Sequence, residues 1–354
     1  MERGSFAAAA LLTLPSRLKF LNFKPTVEPM EKAPKSEILG EGSYGCAFKG
    51  GIPCRSERRS GSHVVGKILR EKDAAIELNI SAVLESVPDW KDYFVLQKEA
   101  DCDAANFSKA RHDLATECTL LMRTKDDDLV QLLSSYGGKT LFDIPITQSL
   151  DFEAGLRHML EGCVRLAAQG VCHFDLHEGN VVSGVAGVLR LIDFGSAIQG
   201  DLTTDKVVKD HTYSFSPEYP PQPPELAVQN GVAGGLDAFE CVYKTIEAKR
   251  VFQLAENYLG TPRSEYLKAL REFYSTDQAA LEGINKKRWV DLYKKYWRKW
   301  DSWAVGVMFL GLARKRHLRL SATVKPVLRG LLMASPVNRL TAAEALALLS
   351  AASH

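Results

Sequence analysis

No stretch of this chain carries the roughly 18 consecutive apolar residues that a bilayer-spanning helix needs, so no membrane span is expected. Close-set cysteines are missing as well. Cys46, Cys54, Cys102, Cys118, Cys163, Cys172 and Cys241 make an odd count of seven, and no pair has CxxC spacing. That spacing leads to no disulfide framework and no cysteine zinc site, and it points to a reducing compartment. Cys46, in a glycine-rich turn, reads as a small apolar filler. Net charge is scarce: 45 basic residues face 43 acidic ones, leaving +2. Charge alone therefore implies no polyanionic partner, and any basic surface must be local. There is no internal repeat and no low-complexity tract. What is present is an ordinary globular composition, 45% hydrophobic and 25% charged, over 354 residues. That length can bury one large core or two modest ones.

Residues 1–35 read as an extension. An apolar run at 6–14, broken by Thr13, lies behind Glu2 and Arg3. It has neither a net positive leading region nor a clear small-x-small cleavage site. A loose extension or a short docking helix is expected rather than a targeting segment. Residues 36–136 read as rich in strands, with one helix over 73–85 capped by Asp73 and carrying Ile76, Ile80, Val83 and Leu84 on one face. Tyr136-Gly137-Gly138 reads as a hinge. Residues 137–354 read as mainly helical, beginning with a helix over 152–169 that stops at Gly170. Residues 202–224 are rich in Thr, Ser, Tyr and Pro and read as a long surface loop.

Three motifs carry the chemistry. Gly40-Glu41-Gly42-Ser43-Tyr44-Gly45 is a GxGxxG string, in which backbone N–H groups can approach phosphate oxygens with no side chain between. Alone it is a weak signal, and a plain glycine-rich hairpin is the alternative. It runs into strand-like Cys46-Ala47-Phe48 rather than a helix, which argues against a dinucleotide fingerprint. Val64-Val65-Gly66-Lys67 then puts a lysine on an apolar strand, where its ammonium can reach phosphate. Such a lysine needs a carboxylate to hold it; Glu77 is the candidate, with Glu85 still open. The strongest motif is His173-Phe174-Asp175-Leu176-His177-Glu178-Gly179-Asn180, followed soon by Asp193-Phe194-Gly195. His173 and His177 are four apart, but a loop does not set them on one face, so a transition-metal pair is not expected.

Taken together, these motifs resemble those of the eukaryotic-type protein kinases. The resemblance runs from about residue 38 to 348. Further marks are Pro223-Pro224-Glu225, Asp301-Ser302-Trp303-Ala304-Val305-Gly306, and Arg339-Leu340-Thr341 with Glu344-Ala345-Leu346. It implies an α+β, bilobal kinase-like fold with a small β-rich N-lobe and a larger helical C-lobe. It implies transfer of the ATP γ-phosphate to serine or threonine hydroxyls of a protein substrate, with ATP and Mg²⁺ as cofactors. Asp175 would take the hydrogen bond of the incoming hydroxyl, and Asn180 and Asp193 would hold Mg²⁺. Lys67, set by Glu77, would position the phosphates beneath Gly40, Glu41, Gly42, Ser43 and Gly45. Glu225 and Arg339 would form a buried ion pair, and Asp301 would brace the Asp175 loop.

The chain departs from the family in three places. Phe174 stands where an arginine often pairs with a phosphorylated loop, so activity without phosphorylation of Thr203, Thr204 or Thr212 is expected. His177 replaces a usual lysine, and the string Asp175 to Asn180 also resembles small-molecule kinases of the aminoglycoside or choline type. A non-catalytic nucleotide-binding scaffold is the third reading. Between Glu225 and Asp301 lies a helical insert, at about 228–298, far longer than the family usually has. Its basic and aromatic end, 286–300, reads as an apolar face of Trp289, Tyr293, Tyr296 and Trp300 packed on the C-lobe. Nucleic acid or an acidic partner is the less favoured use of its basic face. The short gap from Lys67 to the helix and the long insert resemble the divergent kinases of large DNA viruses. A cytoplasmic location is expected, in the host cell or the virion if the chain is viral.

Overall fold

The computed structural model describes residues 37–42, 45–54, 63–100, 102–114, 118–184, 187–212 and 214–351. The expected extension at 1–35 and the candidate site residue Ser43 lie outside them. No described helix is long and apolar enough to cross a membrane.

The apolar runs before residue 136 pair into one antiparallel sheet. Its strands are β1 (Glu37–Glu41), β2 (Gly45–Lys49), β3 (Val64–Arg70), β4 (Lys98–Glu99) and β5 (Leu129–Ser135), in the order β1-β2-β3-β5-β4. Strand β3 is central, and its register sets Lys67 between Ala47 and Leu132. Gly45 is required by that packing, because a Cβ there would lie 2.3 Å from the Ile68 carbonyl oxygen. One cluster of buried side chains includes Phe48, Ile68, Phe107 and Leu121. It joins the sheet to α3 (Ala104–Leu114) and α4 (Thr119–Arg123).

Two disulfides close this region, Cys46–Cys118 and Cys54–Cys102. This corrects the expectation of no disulfide framework. The partners are 72 and 48 residues apart, so the short-range spacing carries no trace of them. The case for a reducing compartment rested on that spacing and loses its basis. Cys163, Cys172 and Cys241 are buried free thiols.

Helix α1 (Glu71–Leu84) follows β3 without a linker, so it starts before Asp73 and has no side-chain cap. Its buried face is Ala74, Glu77, Ile80, Ser81 and Leu84, while Ile76 faces outward. The expected face is thus rotated, and Glu77 is turned inward. Ile80 and Leu84 join Phe94, at the end of α2 (Trp90–Tyr93), in the large core of the helical part.

Beyond residue 136 the chain is mostly helical. Strand β6 (Lys139–Thr140) pairs with β8 (Val181–Ser183), which pairs with β9 (Leu189–Leu191); β7 (Val171–Cys172) pairs with β10 (Ile198–Gln199). Helix α5 (Phe152–Ala168) is capped by Asp151, which accepts from Ala154 N at 3.0 Å. The stretch 202–224 is not all loop: it holds α6 (Asp205–Asp210), capped by Thr204. Then follow α7 (Pro224–Ala233), α8 (Ala238–Ala248), α9 (Arg250–Leu259), α10 (Arg263–Thr276), α11 (Gln278–Lys286) and α12 (Val290–Tyr296). The last three helices are α13 (Trp300–Lys315), α14 (Val324–Leu331) and α15 (Ala342–Ala351). Helix α13 is the axis of this part: Trp303, Val305, Phe309 and Leu310 are fully enclosed. Trp289, Tyr293, Tyr296 and Trp300 are buried in the same core.

Two ionic anchors fix the frame. Arg339 donates two parallel bonds to Glu225, at 2.8 and 2.7 Å, with neither side chain exposed. Asp301 accepts from the backbone N–H of His173 at 2.7 Å and of Phe174 at 3.0 Å, which braces the segment after β7.

Candidate functional site

Lys67 projects from β3 into a cleft of about 650 Å³ between the sheet and the helical part. Its ammonium donates to Glu77 at 2.5 Å and to Asp193 at 2.8 Å. Glu85, the other candidate, instead faces Lys98 at 3.6 Å on the surface. Burial lowers the affinity of Lys67 for its proton, but Asp193 and Glu77 outweigh it, so the amine is raised above its ordinary value. Burial pushes Glu77 up to about 7 against the pull of Lys67. Its second oxygen, Oε2, is enclosed and has no hydrogen-bond partner. Desolvation also pushes Asp193 upward; Lys67 more than offsets it and holds that carboxyl below the usual range.

Asp175, Asn180 and Asp193 line the same cleft. The backbones of 180 and 192 are joined by Ile192 N donating to Asn180 O at 3.0 Å, which brings the two loops side by side. Asn180 donates from Nδ2 to the Asp175 carbonyl at 2.8 Å and so fixes the turn between them. His173 is fully buried and shares a hydrogen bond with Ile192 O at 2.9 Å. Its ring packs against that of Phe194, with centroids 5.0 Å apart. Phe194 is buried edge-on against Phe94. Asp193 (φ +63°) and Phe174 (φ +69°) hold left-handed backbone, a strain that side chains other than glycine bear only where their surroundings enforce it.

The glycines divide into two kinds. Gly40 and Gly42 edge the cleft, with room around the position of a missing Cβ, while Gly45 is packed on β3. Gly42 N donates to Gly45 O at 2.8 Å, closing the turn. Glu41 also edges the cleft, but its carboxylate turns away to accept from Thr119 N at 2.7 Å. Ala47, Val65, Val95, Val182 and Ile192 make the inner cleft apolar. Gly138 at its back has φ +110°, and a Cβ there would stand 1.9 Å from the Ser183 carbonyl oxygen.

Two contributors escaped the sequence reading. Tyr219 donates its hydroxyl to Asp175 Oδ1. Lys249 is buried and donates to the Tyr219 carbonyl at 2.7 Å. Neither belongs to a motif; both reach the site through the proline-rich strap at 217–224, and only the fold joins them. Phe174 lies 5.2 Å from the ring of His211 and 5.5 Å from that of Trp300. Most basic groups near the end of the insert are paired: Lys286 with Glu282, Arg288 with Asp291, Lys295 with Asp277 and Arg298 with Asp201. Glu41 and the sulfurs of Cys46 and Cys118 are close together, but the disulfide leaves those sulfurs unable to act as thiolate ligands. No protein-family model matches the chain.

Proposed function

We propose that this chain is an ATP-dependent protein kinase of bilobal kinase-like fold, acting on serine or threonine hydroxyls. The observation that carries the reading is Lys67 bridging Glu77 and Asp193 in the cleft that also holds Asp175 and Asn180. Phosphoryl transfer asks a protein for positioning and charge neutralisation more than for covalent chemistry. The apolar inner cleft suits a planar base, and the openings at Gly40 and Gly42 suit phosphate oxygens close to backbone. Lys67 would hold those oxygens, with Glu77 keeping the ammonium in place.

Asn180 and Asp193 both bring side-chain oxygens to the cleft, and oxygen donors suit a hard cation such as Mg²⁺. When bound, Mg²⁺ would neutralise the phosphate charge that builds up during transfer. Asp175 would accept the hydrogen bond of the substrate hydroxyl and orient it in line with the γ-phosphorus. Tyr219 occupies Oδ1 of Asp175, which leaves Oδ2 to take the substrate hydroxyl unless the phenol moves aside.

A small-molecule kinase is the second reading, favoured by the string Asp175 to Asn180. The buried Glu225–Arg339 pair and the Asp301 brace support the protein kinase instead, since small-molecule kinases generally lack both marks. The paired charges of the insert give little support to a nucleic-acid partner.

The test is transfer of labelled γ-phosphate from ATP and Mg²⁺ to generic proteins and to an aminoglycoside panel, by wild type and by Asp175→Asn. Label on protein should fall about 10²–10⁴-fold in the variant. Normal turnover in the variant would overturn the assignment, and label on aminoglycoside alone would favour the second reading.

A further inference from the structure

The insert has a place beside the site. Helices α8 and α9 meet at Lys249-Arg250 and close one side of a groove of about 1170 Å³. Helix α13, the 218–221 strap and residues 176–179 close the rest. The groove opens onto His177, Gly179 and Tyr219, which also line the cleft with Asp175. Anything lying in it would thus run up to the acceptor position. Its floor is apolar, built from Val251 and Leu254 of the insert and from Ala304, Val307 and Met308 of α13. The volume exceeds the roughly 300–1,000 Å³ of ordinary small-ligand pockets.

The rim has a sign. Arg250 and Arg314 line the groove and are exposed, and neither has an ion-pair partner among the described residues. Lys315 is cancelled by Glu178 at 3.3 Å. Glu218 is the one lining anion left to oppose the two arginines, so the groove keeps a positive balance. A cationic aminoglycoside would meet repulsion here. A peptide segment with acidic and apolar side chains would meet complementary charge and a surface on which to bury them.

We propose that this groove selects the protein substrate, taking apolar residues next to the acceptor on the α9–α13 floor and acidic residues at Arg250 and Arg314. The proposal rests on the kinase reading above and gives the insert its role: Arg250, Val251 and Leu254 make it a specificity wall.

The experiment compares two serine peptide pools, one acidic and apolar, one basic and polar, with labelled ATP and Mg²⁺. The enzymes are wild type, Arg250→Glu/Arg314→Glu, Arg250→Lys/Arg314→Lys and Leu254→Asp. Wild type should favour the acidic pool by about ten-fold or more in kcat/KM, mainly through KM. The glutamate pair should lose or reverse that preference, the lysine pair should keep it, and Leu254→Asp should weaken use of apolar peptides. A melting curve for each variant separates lost recognition from lost folding. Wild type that labels both pools equally, or a glutamate pair that still prefers acid, overturns this proposal while leaving the kinase reading intact. Label on aminoglycosides and on no peptide overturns both.

Discussion

Lys249 shows how far a single residue can be moved from its ordinary chemistry. Burial pulls its pKa down to about 7, although Glu225 and Glu218 hold it up. The unfolded chain therefore carries a proton on this lysine, from about pH 7 to its ordinary 10.5, that the folded protein lacks. The state that binds more protons loses ground as pH rises, so Lys249 makes the fold gain stability across that window. Wild type should gain up to about 1.4 kcal/mol per pH unit relative to Lys249→Met between pH 7 and 10. Chemical denaturation of both proteins at stepped pH measures it; parallel curves would show an unshifted lysine. Sequence reading could not anticipate this residue. Lys67, by contrast, was legible from its place on an apolar strand, and Asp175, Asn180 and Asp193 from motifs that resemble those of kinases; the structure puts all four in one cleft. Lys249 owes its state to burial at the end of α8 beside Glu225 of α7 and the strap of Glu218 and Tyr219, and no local pattern encodes that meeting.

At the scale of elements, the 202–224 stretch was the one most misread. Its turn-forming composition suggested a loop, yet α6 forms there because Thr204 caps it and Val208 has a buried site to fill. Phe174 contributes to that ordering by packing against His211, just past α6, and against Trp300 and Tyr293. On the proposed kinase reading, this aromatic stack takes the place of a phosphate–arginine tie. If the chain is the proposed kinase, phosphatase treatment should leave peptide phosphorylation within about two-fold of the untreated protein, because no phosphate–arginine pair is needed for order. A collapse of activity that returns on rephosphorylation would contradict this. Alanine substitution is a poor test here. Thr203 is buried and donates to Gln199 O at 3.4 Å, and Thr204 is the cap, whose loss costs about 1 kcal/mol. Helix α1 was legible in existence but not in orientation. Continuity with β3 turned Glu77 inward, and this settles the choice between Glu77 and Glu85.

For the molecule as a whole, covalent cross-links are confined to one region. Both disulfides lie in the sheet part, and the three thiols of the helical part are buried and unpaired. Each disulfide restricts a long loop in the unfolded chain and is worth about 2–5 kcal/mol. Hydrogen exchange under reductant should therefore speed up across β1–β3 and α3–α4, with little change in α5 and α13. Uniform loss of protection would mean that the two parts unfold together. The large core, which takes Ile80 and Leu84 from α1, is the route by which such coupling would run.

The Glu225–Arg339 pair joins positions 114 residues apart, with both side chains at 0% exposure. In genetic terms, this makes the last third of the reading frame indivisible. A stop codon after α13 (Trp300–Lys315) but before 339 would keep the core helix and leave the Glu225 carboxylate without its buried cation. Removing one partner of a buried pair costs about 3–5 kcal/mol, and the same stop would also take away α15, which packs on α5. Missense changes on exposed faces of this stretch can persist through generations. Shortened alleles that end there should encode a strongly destabilised helical part.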